Sequence, residues 1–421
     1  MVVIKSNFFF IFLVSIFFCK TIYSAQIYDY QTELFIKEIN TKILSVNSYD
    51  KKINLKIIND NFPNAFVTEN NDLFISSGLL IHSPDYISLL AVLSHEIGHI
   101  EKYHITKRKS EMGDLKKIKS FGNLAIIAGS MLMKNPELIN VVAFNQTAIN
   151  DLYINFSQDQ EKEADLYAVE TLYKLNLSTQ SIKEFLRILE NKSKFDLMDV
   201  ELRKFSTHPL FKERYDILDF KKGSTVYKFD DTLQKKFSFI KAKFIAYTDN
   251  NYSNKLSGDE KIYYEAIKAS LSGNLLKSLK KLNILISKHN DNFFLIETKA
   301  DILISFGYKK EAIKFYKIVL ENYTSNNYVK FNIFIHSNYF NENTNYIKKI
   351  FLENQILIKL FPDNKILLTK FYNLSKILDY THWTLFFEIL LFEKNNFEGA
   401  LAELDSHTKD NNLKKLIKLY I

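Results

Sequence analysis

Leu93-Ser94-His95-Glu96-Ile97-Gly98-His99-Ile100 decides the reading of this chain. On an α-helix, residues four apart lie about 40° apart around the axis and ~6 Å along it. His95 and His99 can therefore point two imidazoles at one metal ion from one face. Glu96 projects beside them, where it can take a proton from a metal-held water. The helical wheel agrees. Tyr86, Leu89, Leu90, Leu93, Ile97 and Ile100 share one face, which should pack on a core. His95 and His99 lie opposite, beside Ala91 and Val92, and Gly98 lets another segment come close. At this chain's histidine frequency, an H-E-x-x-H arises by chance on the order of once per hundred such chains, so the spacing carries weight.

A centre of this kind needs a third protein ligand. Glu161-Lys162-Glu163-Ala164-Asp165 offers candidates. Glu161 and Asp165 are i, i+4 on one helix face. One carboxylate can bind the metal while the other accepts the spare N–H of a ligand histidine and fixes its tautomer. Glu163 is the rival ligand, although it also suits a solvated helix surface.

Working outward, residues 30–48 carry apolar side chains at helical spacing. Residues 53–58, 64–68 and 73–76 then alternate like strands, the last two joined by a Glu69-Asn70-Asn71-Asp72 turn. A small antiparallel sheet is expected, with 73–76 as a candidate edge for an extended peptide. Ser83-Pro84-Asp85 opens the histidine-bearing helix with a cap and a proline. Helices follow at 158–175 and 179–191. Residues 121–133 are apolar but short, which suits a buried helix or a flap. The loop Ser206-Thr207-His208-Pro209 leads into a further helix. Past a loop at 221–224, Ala266 and Gly273 recur as Ala300 and Gly307, both shifted by 34 residues, the tetratricopeptide period. Phe397-Glu398-Gly399-Ala400 resembles another helix start out of phase with these.

The chain has 421 residues, too many for one ordinary core. With only 10 Gly and 5 Pro, it favours helices over a sandwich or barrel. The expected fold is mainly α with a small antiparallel β-sheet (α+β): a zincin-type catalytic domain followed by a tetratricopeptide-like helical repeat domain. The net charge of +8 is spread among acidic residues with no long basic block, which argues against a nucleic-acid partner. Lys5 followed by the apolar run at 8–18 reads as a signal peptide, cut near Ser24–Ala25. Cys19, the only cysteine, follows bulky Phe18 and is a poor lipidation site; cleavage leaves a mature chain with no thiol. The expected division is 1–24 signal peptide, 25–222 metallopeptidase domain and 223–421 repeat domain. No transmembrane helix is expected after cleavage.

With these motifs in order, the chain resembles the zinc metallopeptidase family of HtpX and the CAAX prenyl endopeptidases, and within it the soluble periplasmic BepA-type branch. The likeness rests on His95-Glu96-x-x-His99 with Glu161-x-x-Ala164-Asp165. Asn64-Ala65-Phe66, Ser77-Gly78-Leu79-Leu80, His104, and Ser206-Thr207-His208-Pro209 with Arg214 add to it. It covers residues 30–220 well and the tail in architecture alone. The resemblance implies one Zn2+ per chain on His95, His99 and Glu161, with Asp165 supporting a ligand histidine and Glu96 as the catalytic base. It implies that His208 can sit near the zinc and obstruct the water site. His208 or Arg214 could instead donate to the oxyanion. His104 reads as structural; His82, His289, His336, His382 and His407 are isolated.

The function implied is a periplasmic endopeptidase, peripheral to the outer membrane, for misfolded or assembly-stalled envelope proteins. Its repeat domain would dock substrates or outer-membrane assembly machinery. The alternative is a chaperone-like binding protein with a latent zinc site plugged by the His208 loop. A membrane-embedded prenyl-protein protease needs long apolar spans, which the mature chain lacks.

Overall fold

The computed structural model describes residues 26–48, 52–68, 70–107, 156–195, 212–219, 227–248, 252–393 and 396–421. The expected signal peptide at 1–24, the apolar run at 121–133 and the loop bearing His208 lie outside them.

Strand β1 (Gln26–Ile27) leads into helix α1 (Tyr30–Asn47), where the Asp29 carboxylate accepts the Thr32 N–H as N-cap. Strands β2 (Asn54–Ile58), β3 (Ala65–Val67) and β4 (Asp72–Ser76) follow in the expected places. The sheet order is β1-β2-β4-β3. β3 and β4 form the expected antiparallel hairpin, but β2 and β4 run parallel. The sheet is therefore mixed, and β4 is an interior strand; the edge on that side is β3. Alternation identifies a strand and its faces but says nothing of its neighbours. Here residues 59–64 carry the chain across, so that β4 inserts between β2 and β3.

Polar bonds from the start of helix α2 (Ser77–His82) hold that crossing. Ser76 Oγ accepts the N–H groups of Asn64 and Leu79 and donates to Phe62 O. Ser77 Oγ donates to Asp60 O, and the Gly78 N–H donates to the same carbonyl at 2.7 Å. A Cβ on Gly78 would lie 2.4 Å from Asn61 O, so only glycine permits this approach.

Helix α3 (Tyr86–Glu101) carries the histidines. Asp85 is its N-cap, in a capping box with Ser88; Pro84 precedes the cap and is not the first helical residue. Both faces of α3 are buried. The side opposite the core, which the wheel leaves open, is covered by helix α4 (Gln158–Lys174). Gly98 sets the separation: a Cβ there would come within 3.1 Å of Tyr167 Cβ and 3.2 Å of Ala164 Cα. Helices α5 (Gln180–Phe195) and α6 (Lys212–Asp219) pack on α3 and α4 respectively.

The chain beyond is helical: α7 (Asp231–Thr248), α8 (Gly258–Leu271), α9 (Leu275–Lys288), α10 (Phe293–Ser305), α11 (Lys309–Asn322) and α12 (Asn327–His336). Six shorter helices run on to Ile417. Gly273 and Gly307, 34 residues apart, turn between α8 and α9 and between α10 and α11 with φ of +79° and +86°. Ala266, Ala300 and Ala312 are fully buried where paired helices meet. The helices are thus packed in a repeat-like manner. Residues 334–417 form their own apolar cluster.

Apolar packing does not stop at residue 222. One cluster runs from Phe35 to Ile302. Phe237 of α7 stacks on Phe35 at 5.9 Å, and Tyr30 meets Phe294 and Tyr323.

Candidate metal centre

Three donors converge between α3 and α4. His95 Nε2 and His99 Nε2 are 3.1 Å apart, and each is 3.5 Å from a carboxylate oxygen of Glu161. Their spacing is what the i, i+4 geometry requires, and Gly98 lets α4 come near enough to deliver Glu161. Among the described residues, His95, His99 and Glu161 are the one group of three or more such side chains close enough to share an ion. All three are buried, at 6 %, 0 % and 0 % exposed.

The donor set fits zinc. Four ligands at about 2.0–2.1 Å in a tetrahedron stand about 3.3 Å from one another, which the observed 3.1 and 3.5 Å bracket. Charge fits as well. Two buried carboxylates, Glu161 and Asp165, face one guanidinium, so the pocket is short of positive charge.

Behind His95, its Nδ1 stands 2.8 Å from Asp165 Oδ1. Asp165 is clamped by Arg214 from α6, through Nε to Oδ2 at 2.8 Å and Nη2 to Oδ1 at 2.7 Å. The third guanidinium nitrogen reaches to 3.6 Å from Glu161 Oε2. Burial alone would push the Asp165 carboxyl up, but Arg214 and His95 outweigh it and hold it below the usual carboxylate range. Burial would likewise lower His95, yet Asp165 and Glu161 raise it. A metal ion must therefore compete with a proton at this ring.

Behind His99 the arrangement differs. Its Nδ1 is 2.9 Å from His104 Nδ1, and His104 Nε2 is 3.0 Å from Glu163 Oε2. The Phe156 ring stacks on His99 at 3.8 Å. Burial lowers the His104 pKa, and the hydrogen bond from His104 lowers that of Glu163.

Of the residues singled out from sequence, the structure brings together His95, Glu96, His99, Glu161, Asp165 and Arg214. Glu96 is 1 % exposed on the same helix. His208 lies outside the described residues. Glu163, the rival ligand, points to His104 and stays out of the converging group. Arg214, a candidate oxyanion donor, has its guanidinium committed to Asp165. Sequence reasoning missed the pairing of His104 with Glu163. The available signal was the two-residue step Glu161, Glu163, Asp165, which turns the middle carboxylate away from its neighbours. His82, His289, His336, His382 and His407 do not join the cluster.

Known proteins are similar to the stretch of chain that carries these residues. Residues 32–220 match the model of peptidase family M48. A Vibrio cholerae protein is 27 % identical over 176 residues, 41 % of this chain and 35 % of that protein. The beta-barrel assembly-enhancing protease of Yersinia pestis is 26 % identical over 190 residues, 44 % of this chain and 37 % of its own. That of Escherichia coli K12 is 23 % identical over 184 residues, 43 % and 37 %. The match thus spans little more than a third of each relative's length.

Proposed function

We propose that residues 32–220, which match the model of peptidase family M48, form a metalloprotease domain, and that the chain is a zinc-dependent endopeptidase acting on misfolded or assembly-stalled envelope proteins. The convergence of His95 Nε2, His99 Nε2 and the Glu161 carboxylate carries the reading. The relatives' name, beta-barrel assembly-enhancing protease, supports the substrate class. The division proposed is a signal peptide at 1–24, a catalytic domain at 25–222 and a docking domain of helical repeats at 223–421. The site of action is the periplasm. Among the described residues no helix is long and apolar enough to cross a membrane.

His95, His99 and Glu161 would hold one zinc ion per chain, which would supply Lewis-acid polarisation of the scissile carbonyl. Glu96 takes the proton of the attacking water and returns it to the leaving amine. Asp165 keeps the proton of His95 on Nδ1, so that Nε2 presents its lone pair. Arg214 keeps Asp165 ionised and holds α6 to α4. Substrate lies extended along β3, which pairs only with β4 among the described residues.

Glu96→Gln tests the base. It should keep the metal and lose about 10²–10⁴-fold in cleavage of an unfolded protein. Cleavage at the wild-type rate would end the mechanism. Metal analysis of the purified mature chain should give one zinc, absent in His95→Ala. If His208 guards the centre, His208→Ala should cleave faster than wild type.

A further inference from the structure

His99 and His95 face the same point but are supported by different means. Asp165 reaches His95 directly, and its buried charge is matched by Arg214. On the Nδ1 side of His99 stands a second imidazole, His104, which is itself fully buried, and the Phe156 ring stacks on His99. An anion placed there would need a partner to offset its desolvation.

We propose that His104 and Glu163 are positioning residues that fix the metal-binding tautomer of His99 through two hydrogen bonds in series. The inference rests on His99 being a metal ligand, as read above. Glu163 lies at the rim with its side chain 53 % exposed, so its charge stays in water. A histidine that binds a metal through Nε2 carries its proton on Nδ1. The His99 Nδ1–H then donates to His104 Nδ1 at 2.9 Å. With Nδ1 accepting, His104 holds its proton on Nε2, which donates to Glu163 Oε2 at 3.0 Å. The His99 Nε2 lone pair faces His95 Nε2 and Glu161. The polarity of a surface carboxylate is thus carried inward without burying its charge.

The backbone is shaped for this. Tyr103 adopts φ of +57° immediately after α3, a left-handed conformation unfavourable to a residue with a side chain. That turn redirects the chain so that His104 folds back beneath His99. The Lys107 N–H closes the next turn on Tyr103 O at 2.9 Å.

The test uses the full mature protein with His104→Phe and His104→Asn. Phe fills the space without an acceptor. Asn keeps an oxygen near the position of Nδ1. Zinc affinity is measured by chelator competition. The His99 tautomer is read in metal-free protein from ¹⁵N shifts of its ring nitrogens. His104→Phe should weaken zinc binding about 10–100-fold and lose the Nδ1–H preference; His104→Asn should recover most of both. Equal zinc affinity in wild type and His104→Phe would overturn the proposal. So would equal losses in the two variants, because packing alone would then explain them. If wild type bound no zinc, the metal reading would fail by itself. The tautomer of His99 would still decide the role of His104: Nδ1–H in wild type supports it, and Nε2–H overturns it.

Discussion

Two regions bury carboxylates on helix interiors, with opposite results. On α4, Asp165 meets the Arg214 fork and the His95 ring, and its pKa falls. On α10, Glu297 and Asp301 sit four residues apart, and burial pushes them up, to about 8 and about 6. Their direct partners are neutral donors. Asn326 Nδ2 donates to Glu297 at 2.7 Å; the Tyr316 and Tyr328 hydroxyls donate to Asp301 at 2.6 and 2.9 Å. Lys243, a cation that acts on both, is bound to Asp29 and Gln31. The comparison teaches that burial has one sign for carboxylates, and that a bidentate cation is what reverses it.

The strongest way to break the contrast is Arg214→Ala. Removing one partner of a buried pair leaves an uncompensated charge, at a cost of about 3–5 kcal/mol. Denaturant unfolding of the metal-free protein at pH 7 reads it, and unchanged stability would mean Asp165 is compensated elsewhere. Arg214→Lys should recover little, because it cannot fork across both oxygens.

The pH dependence of the two regions has opposite slopes. Glu297 and Asp301 titrate higher in the folded chain than in the unfolded one. The folded state therefore binds more protons between those values, and stability is lost as pH rises from about 4 through 8. Asp165 titrates lower when folded, so its contribution is present above about pH 4 and lost on further acidification. Glu297→Gln should leave stability at pH 5 nearly unchanged and raise it at pH 9 by about 1–3 kcal/mol. A melting series across that range checks this, and an unaltered slope would place the alkaline loss elsewhere.

The smallest effect expected is at Tyr103. Tyr103→Gly relieves a left-handed residue but adds chain entropy, for a net gain of about 0.5 kcal/mol. Combined with unchanged zinc affinity, it would show that the turn before His104 depends on backbone conformation and not on the tyrosine side chain.

Much of the centre was legible because it is local. The i, i+4 steps of His95 and His99, and of Glu161 and Asp165, are consequences of helical pitch. The repeats were legible through Gly273 and Gly307, since only a left-handed turn explains glycine at that period. The sheet was less so. Strand content could be read from alternation, but the parallel pairing of β2 with β4 depends on the crossing that Ser76 and Ser77 hold. Arg214 was legible as a candidate residue, but its pairing with Asp165 was not, because their separation along the chain hides the contact.

The sequence alone determined that His95 and His99 could meet one ion, since helical pitch fixes the spacing of residues four apart; Glu161 followed from the resemblance. Only the tertiary structure decided which histidine each supporting group stands behind. Close packing of α3 on α4 at Gly98 set Asp165 and Arg214 behind one histidine, and His104 with Glu163 behind the other. His104 is five residues from His99, but Asp165, Glu163 and Arg214 come from segments far from the histidines in the chain, and helical pitch does not encode contacts between separate helices.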